Sequence, residues 1–241
     1  VEYTYNPTLW LLVFPKHSYL QDYQGNKKSE KWFFYDYNSS YLNPPSKGNL
    51  TKEEVWLDGG INPVSQFTYD TYGNLLTTTD ALGHISSVDY DSTYHLFPLT
   101  TTNALGHQIT NEYYGVNGVP LDDGLGYRGL WGQIKSFTDP NDKKGTSVYD
   151  TFGRAVKTIS PDDSLTLPTT SVEYDLSIPI KIKTHQREVS GQAGTLDSVS
   201  FYDGLGRLIQ TKTESETANK FIVSGQTEYN SRGLPEKKYL P

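Results

Sequence analysis

Ser200-Phe201-Tyr202-Asp203-Gly204-Leu205-Gly206-Arg207-Leu208-Ile209-Gln210-Thr211 carries the clearest structural signal in the chain. A near copy runs Ser147-Val148-Tyr149-Asp150-Thr151-Phe152-Gly153-Arg154-Ala155-Val156-Lys157-Thr158, and a third copy lies at Thr68 to Thr78. The shared core is an aromatic residue, Asp, two variable residues, Gly, then a polar residue and a run ending in Thr. Tyr suits the end of a strand because its ring packs on a pleated face while its hydroxyl stays wet. Asp opens a turn because its carboxylate accepts backbone N–H groups two residues on. Gly three residues later closes a short hairpin through a left-handed residue, where a Cβ clashes. Arg or Asn then starts a return strand whose side chains alternate between two faces.

The unit recurs along the chain. Tyr69-Asp70 with Gly73 is followed by Asp80 with Gly83, and then by Asn103 with Gly106. The clearest copies are Tyr149-Asp150 with Gly153 and Arg154, and Tyr202-Asp203 with Gly206 and Arg207; Tyr229-Asn230 with Gly233 is a last one. Tyr90-Asp91 opens the same way without its Gly, and Thr138 to Gly145 reads as the same turn stretched. A turn every ten residues or so leaves strands of roughly five residues in a meander of hairpins. Such repetition predicts a β array rather than a compact mixed fold. The expected fold is all-β: an elongated, curved antiparallel array of these hairpins over residues 66–241, with a Gly-rich connection at 115–132.

Residues 1–65 read as a more irregular β region leading into the array. Leu9 to Phe14 is a strand-length apolar run that Pro15 ends, and Lys31 to Tyr37 is an aromatic strand. Asn38 to Gly48 holds Ser-Ser, Pro-Pro and Gly, and so reads as a loop. Leu50 to Leu57 fits a strand better than a helix, given its neighbours. Ser160 to Thr169 is a further loop, and Ser190 to Asp197 and Thr213 to Asn219 are polar hairpin tips.

A chain of 241 residues is long enough for a sizeable core. No stretch is apolar enough to span a membrane, and no signal-peptide order is present at Val1. With Val first, no Met and an abrupt stop at Pro241, the chain reads as a piece cut from a longer one. The absence of Cys removes disulfides, thiolate metal sites and cysteine nucleophiles. A net charge of −7 with both signs interspersed argues against nucleic acid and acidic membranes as partners. The 19 Tyr, with abundant Thr and Gly, point to exposed β structure and many turns.

The chemistry-bearing residues find structural explanations. His84 and His107 occupy the slot after the turn Gly that Asn74, Arg154 and Arg207 fill elsewhere, so they read as the start of return strands rather than as ligands. No His-x-His or His-Glu-x-x-His spacing occurs, and no metal or cofactor is expected. Many Asp residues sit at the turn position, while Asp122-Asp123 and Asp162-Asp163 fall in loops where nothing fixes their geometry. No Gly-x-Ser-x-Gly elbow or phosphate-binding loop is present, and no catalytic residue is assigned. Tyr-rich strands could alternatively bind sugars by stacking.

Tyr149-Asp150-Thr-Phe-Gly153-Arg154 and Tyr202-Asp203-Gly-Leu-Gly206-Arg207 resemble the YD repeat of rearrangement-hotspot (RHS) proteins. Lys47-Gly48-Asn49-Leu50-Thr51 with Trp56-Leu57, Thr79 to His84, Thr102 to His107, Glu112 to Gly115 and Thr227 to Pro235, in that order, resemble the B component of bacterial insecticidal toxin complexes. The resemblance runs from about Lys31 to the end. It implies a non-catalytic segment of a hollow shell, wound from a continuous β-strip, that encloses a toxic polypeptide in a secreted, extracellular complex. The implied partners are the remainder of the shell, the C-component toxin polypeptide and, indirectly, a translocation-channel subunit. The family's self-cleaving aspartate site has no match here: Asp139-Pro140-Asn141-Asp142 lacks the Gly it requires. The alternative reading is an extracellular carbohydrate- or cell-surface-binding module.

Overall fold

Short Thr-, Tyr- and Val-rich segments between Asp/Asn–Gly turns favour strands that pair with their sequence neighbours, and the computed structural model shows this pattern throughout. It describes residues 1–217 and 220–239. In the first unit, Val1–Thr110, β1 (Glu2–Asn6) leads through a 3-10 turn at Pro7–Leu9 to β2 (Leu11–Gln21), β3 (Lys27–Tyr35), β4 (Leu50–Val55), β5 (Val64–Tyr69), β6 (Leu75–Thr79), β7 (Ile85–Tyr90) and β8 (Pro98–Thr102). β9 (Gln108–Tyr113) pairs with β8 and runs on into the second unit, Asn111–Pro241. That unit holds β10 (Ile134–Thr138), β11 (Lys144–Tyr149), β12 (Ala155–Ile159), β13 (Thr170–Asp175), β14 (Ile180–Arg187), β15 (Thr195–Tyr202), β16 (Leu208–Glu214), β17 (Phe221–Ser224), β18 (Thr227–Tyr229) and β19 (Pro235–Lys238). Within each unit every strand pairs antiparallel with the next in sequence, except that β17 and β18 are joined by a short link. The fold is all-β.

Three local expectations need correction. Pro15 does not end a strand: it lies inside β2, opposite Tyr3, where the β1–β2 register shifts. A shifted pairing tolerates a residue that lacks an N–H. The turn after Thr138 is not stretched. It closes in five residues, Asp139 to Lys143, with Asp142 at φ +60° where the other turns place Gly; Gly145 belongs to β11. The aromatic strand β3 stops at Tyr35, because Asp36 and Tyr37 both turn into the left-handed region, at φ +53° and +60°. Ala218 and Asn219, within the Thr213–Asn219 tip, lie outside the described residues.

The core is small. Phe34 and Tyr35 in the first unit, and Tyr113, Tyr114, Val116, Val148 and Ile159 in the second, are the buried hydrophobic side chains among the described residues. A domain of this length can bury far more, so most strand residues keep one face or both partly in water. The hydrogen-bond ladder therefore carries much of the order. Hydroxyls cross-link it: Thr68 and Thr77, directly opposed on β5 and β6, hydrogen-bond at 2.6 Å.

Candidate functional site: the tyrosine-led turns and an enlarged loop

The repeated turn is built by one carboxylate. At Asp203, the backbone N–H donates to the Arg207 carbonyl and the Gly206 N–H donates back to the Asp203 carbonyl, both at 3.0 Å. Oδ1 accepts from the N–H groups of Leu205 (2.9 Å) and Arg207 (3.0 Å), while Oδ2 takes the Arg207 Nε (2.7 Å). Asp150 does the same with Phe152 and Arg154, Asp70 with Tyr72 and Asn74, and Asp80 with Leu82 and His84. Asn103 and Asn230 use the side-chain amide oxygen in place of the carboxylate. Gly73, Gly83, Gly106, Gly153, Gly206 and Gly233 all have φ between +76° and +90°, a region that admits other residues only at a cost. The residue after the Gly is thus more than a solvated strand start. When it is Asn, His or Arg, its side chain caps the turn carboxylate.

Two further copies lie outside the tyrosine-led series. Asp22-Tyr23-Gln24-Gly25-Asn26, in the irregular first quarter, makes the same bonds from Asp22 to Gln24 and Asn26. Asp123-Gly124-Leu125-Gly126-Tyr127 sits inside the Gly-rich stretch and has the same Oδ1 pair, from Leu125 and Tyr127. Its first four residues repeat those at Asp203.

Successive turns of a meander fall at opposite strand ends, and the residue before the turn distinguishes the ends. In the first unit Tyr35, Tyr69 and Tyr90 precede turns at one end, while Thr79 and Thr102 precede turns at the other. In the second unit Tyr149, Tyr174 and Tyr202 alternate with Thr138, Ile159 and Arg187. Several of the tyrosine hydroxyls find a backbone partner. Tyr69 donates to the Leu50 carbonyl (2.8 Å), Tyr149 to Ile134 (3.0 Å), Tyr229 to Leu208 (2.9 Å) and Tyr35 to Pro15 (2.8 Å). Each acceptor belongs to an earlier strand, 15 to 21 residues back. The hairpins led by Tyr35, Tyr69, Tyr90, Tyr149, Tyr202 and Tyr229 also share a register shift at the tyrosine. The Thr-led pairs Thr79–Ile85, Thr102–Gln108 and Thr138–Lys144 stay in register. One extra residue in the return strand is a bulge, which adds local twist.

Three tyrosine-led turns are enlarged rather than lost. Asp36 N–H donates to the Asn49 carbonyl (2.8 Å), Asp91 to Phe97 (3.0 Å) and Tyr114 to Gln133 (2.9 Å), repeating the bond that closes the five-residue turns. Gly48-Asn49 and Gly132-Gln133 supply the usual Gly and slot residue, with both glycines at positive φ. The stretch 115–132 is therefore an insertion into one turn, packed on the buried ring of Tyr114. Asp91 is fully buried and accepts four N–H bonds, from Thr93, Tyr94, Leu96 and Phe97. Burial alone would raise its pKa, but these bonds more than offset it and hold the carboxyl down at about 2.

Asp36 gathers the N–H groups of Ser46, Lys47 and Gly48 on Oδ2 and that of Asn49 on Oδ1, at 2.6 to 3.1 Å. Against the raising effect of burial, these bonds lower its pKa. Asn6 Nδ2 ties down the Pro45 carbonyl, and the Phe14 ring fills the space where a Cβ on Gly48 would sit. Two consecutive non-Gly residues at positive φ, Asp36 and Tyr37, cost roughly 1–2 kcal/mol each. Beside them lies a cavity of about 530 Å³, walled by this loop and by Tyr69, Asp70 and Thr71 of the next tyrosine-led turn. Among the described residues, no group of three His, Cys, Asp or Glu side chains has metal-binding geometry. Asp122 and Asp123 serve turns. Asp163 braces two loops through Thr169, Ser190 and Gly191.

No family model and no curated protein matches the sequence. Solved structures do. The chain matches the crystal structure of TcdB2-TccC3 with a TM-score of 0.62 at 14% identity, over 97% of this chain and 17% of that one. It matches TcdB2-TccC3-TEV at 0.66, 12% identity, 100% and 19%, and TcdB2-TccC3 without its hypervariable C-terminal region at 0.64, 13%, 99% and 20%. The chain has the TcdB2-TccC3 fold. At 12–14% identity these likenesses show the fold, and the repeated YD hairpins agree with it. The chain spans no more than 20% of the TcdB2-TccC3 chains it matches.

Proposed function

We propose that this chain is a wall segment of a hollow RHS-type shell that encloses a toxin or effector polypeptide in a secreted toxin complex. Its role is structural and non-catalytic. The observation that carries the reading is a long hairpin meander with few buried hydrophobic side chains, in the TcdB2-TccC3 fold. Strands whose described residues are mostly half-buried or exposed suit a wall, which must face contents on one side and solvent on the other. Bulges at six of the tyrosine-led turns favour a bend at those hairpins, while the Tyr174 hairpin stays in register. Leu82, Leu105, Phe152 and Leu205, each just before a turn Gly, are exposed. In a wall such tips would meet the adjoining wall. The partners are then the remainder of the shell, the enclosed C-component polypeptide and, through the assembled complex, a translocation-channel subunit.

The test is electron microscopy and protease protection on the complete polypeptide that contains this chain. A hollow particle, with an internal polypeptide that resists protease until the shell is denatured, is expected. A solid particle, or a polypeptide cut as fast before denaturation as after it, overturns the reading.

A further inference from the structure

The loop at 36–49 is larger than closing its hairpin requires. Other tyrosine-led turns, such as Asp70–Asn74 and Asp150–Arg154, make the same closing bond in five residues. The extra chain is held rather than loose, through the four N–H bonds to Asp36, the Asn6 bond to Pro45 and the Phe14 contact. What it presents is Tyr37. This side chain is 69% exposed on a left-handed backbone, and its N–H is fixed by Thr51 Oγ1 at 2.9 Å. Strain kept in a braced loop, with an aromatic ring left in water, is a pattern of ligand sites.

Tyr37 borders both the 530 Å³ cavity and a neighbouring one of about 250 Å³. The walls of the larger carry hydroxyl, amide and carboxylate groups from Ser46, Asn49, Asp36, Asp70 and Thr71. Asp36 Oδ1 and Asp70 Oδ2 each accept one hydrogen bond within the protein, so each keeps acceptor capacity for a further donor. One cation, Lys47, faces two carboxylates here, too little positive charge for a phosphate or nucleic-acid site. An aromatic face beside fixed carboxylate and amide groups instead matches the two surfaces of a pyranose: an apolar C–H face and an equatorial rim of hydroxyls.

We propose that the cavity between the 36–49 loop and the Asp70 turn is a saccharide site. Tyr37 stacks on the sugar ring, and Asp36 and Asp70 accept from its hydroxyls. The site is independent of the shell reading and stands or falls separately.

Saturation-transfer NMR on the 241-residue chain tests it, with methyl β-galactopyranoside, methyl α-glucopyranoside and N-acetylglucosamine as probes. Transfer to the ring protons of at least one probe is expected. It should fall to the level of a protein-free control in Tyr37→Ala and persist in Tyr23→Ala, which removes a ring exposed elsewhere. Circular dichroism and melting curves establish that both variants fold. Should Tyr37→Ala misfold, Tyr37→Gly, which suits the left-handed backbone, replaces it. No transfer from any of the three probes, or transfer that survives loss of the Tyr37 ring, overturns the proposal.

Discussion

The guanidinium of Arg207 lies 4.3 Å from the ring centre of Tyr229. The same Arg207 holds the carboxylate of Asp203, and the Tyr229 hydroxyl donates to the carbonyl of Leu208, the residue after it. One turn is thereby locked to the tyrosine of the next. Arg154 repeats the arrangement, bonded to Asp150 and 4.0 Å from the Tyr174 ring, whose hydroxyl lies 3.4 Å from the Ala155 carbonyl. In the first unit Asn74 plays a related part, donating both to Asp70 and to the His95 carbonyl of the following turn. The residue after the turn Gly therefore links hairpins as well as closing one.

A double-mutant cycle on Arg207→Ala and Tyr229→Ala should return a coupling of about 0.5–1 kcal/mol in urea unfolding, the range for a partly exposed cation–ring pair. Strict additivity would remove the pair from the account of how the turns are linked.

Replacing Tyr69 with Phe deletes only the hydroxyl that reaches Leu50. The expected loss is about 1 kcal/mol. Tyr72→Phe, at an exposed turn position where the ring stacks on His95, should stay within about 0.5 kcal/mol. Equal melting temperatures for the two variants would mean that the hydroxyl clamp is energetically silent.

The turn carboxylates make stability depend on pH with a definite sign. Asp36, Asp91, Asp150 and Asp203 all have lowered folded-state pKa values. Their contribution is complete above the unfolded value of about 4 and is lost as pH falls through the folded values. For Asp91 that means toward pH 2. Melting temperature should be flat across neutral pH and drop below about pH 4. Asp91→Asn should melt lower at neutral pH and lose less on acidification. A melting temperature that rises below pH 4 would contradict the linkage.

Two substitutions should move stability in opposite directions. Asp142→Gly places Gly at φ +60°, as in the other turns, and should stabilise by up to about 1 kcal/mol. Gly129→Ala would drive a Cβ into the buried ring of Tyr114, and overpacking of this kind costs about 1–3 kcal/mol. Urea midpoints of the two variants decide both, and a change of the opposite sign in either would be the failure.

The hairpin unit is written locally, because everything that builds it lies within five residues. An Asp or Asn acceptor, two N–H groups that reach it and a Gly at positive φ form one local circuit, as at Asp203–Arg207. The all-β class and the antiparallel neighbour order follow from repeating that circuit. Asp22–Asn26 and Asp123–Tyr127 were equally legible; one was hidden by irregular flanks, the other by surrounding glycines. Tertiary structure alone decided where the Tyr69, Tyr149 and Tyr229 hydroxyls go, since their acceptors lie on other strands and are chosen by register. It also decided that 36–49 and 114–133 are enlarged turns, because the closing bond joins residues too far apart for any local pattern to pair. The cavity beside Tyr37 belongs with these: two successive tyrosine-led turns form its walls, and they meet only because the strands between them fold back antiparallel.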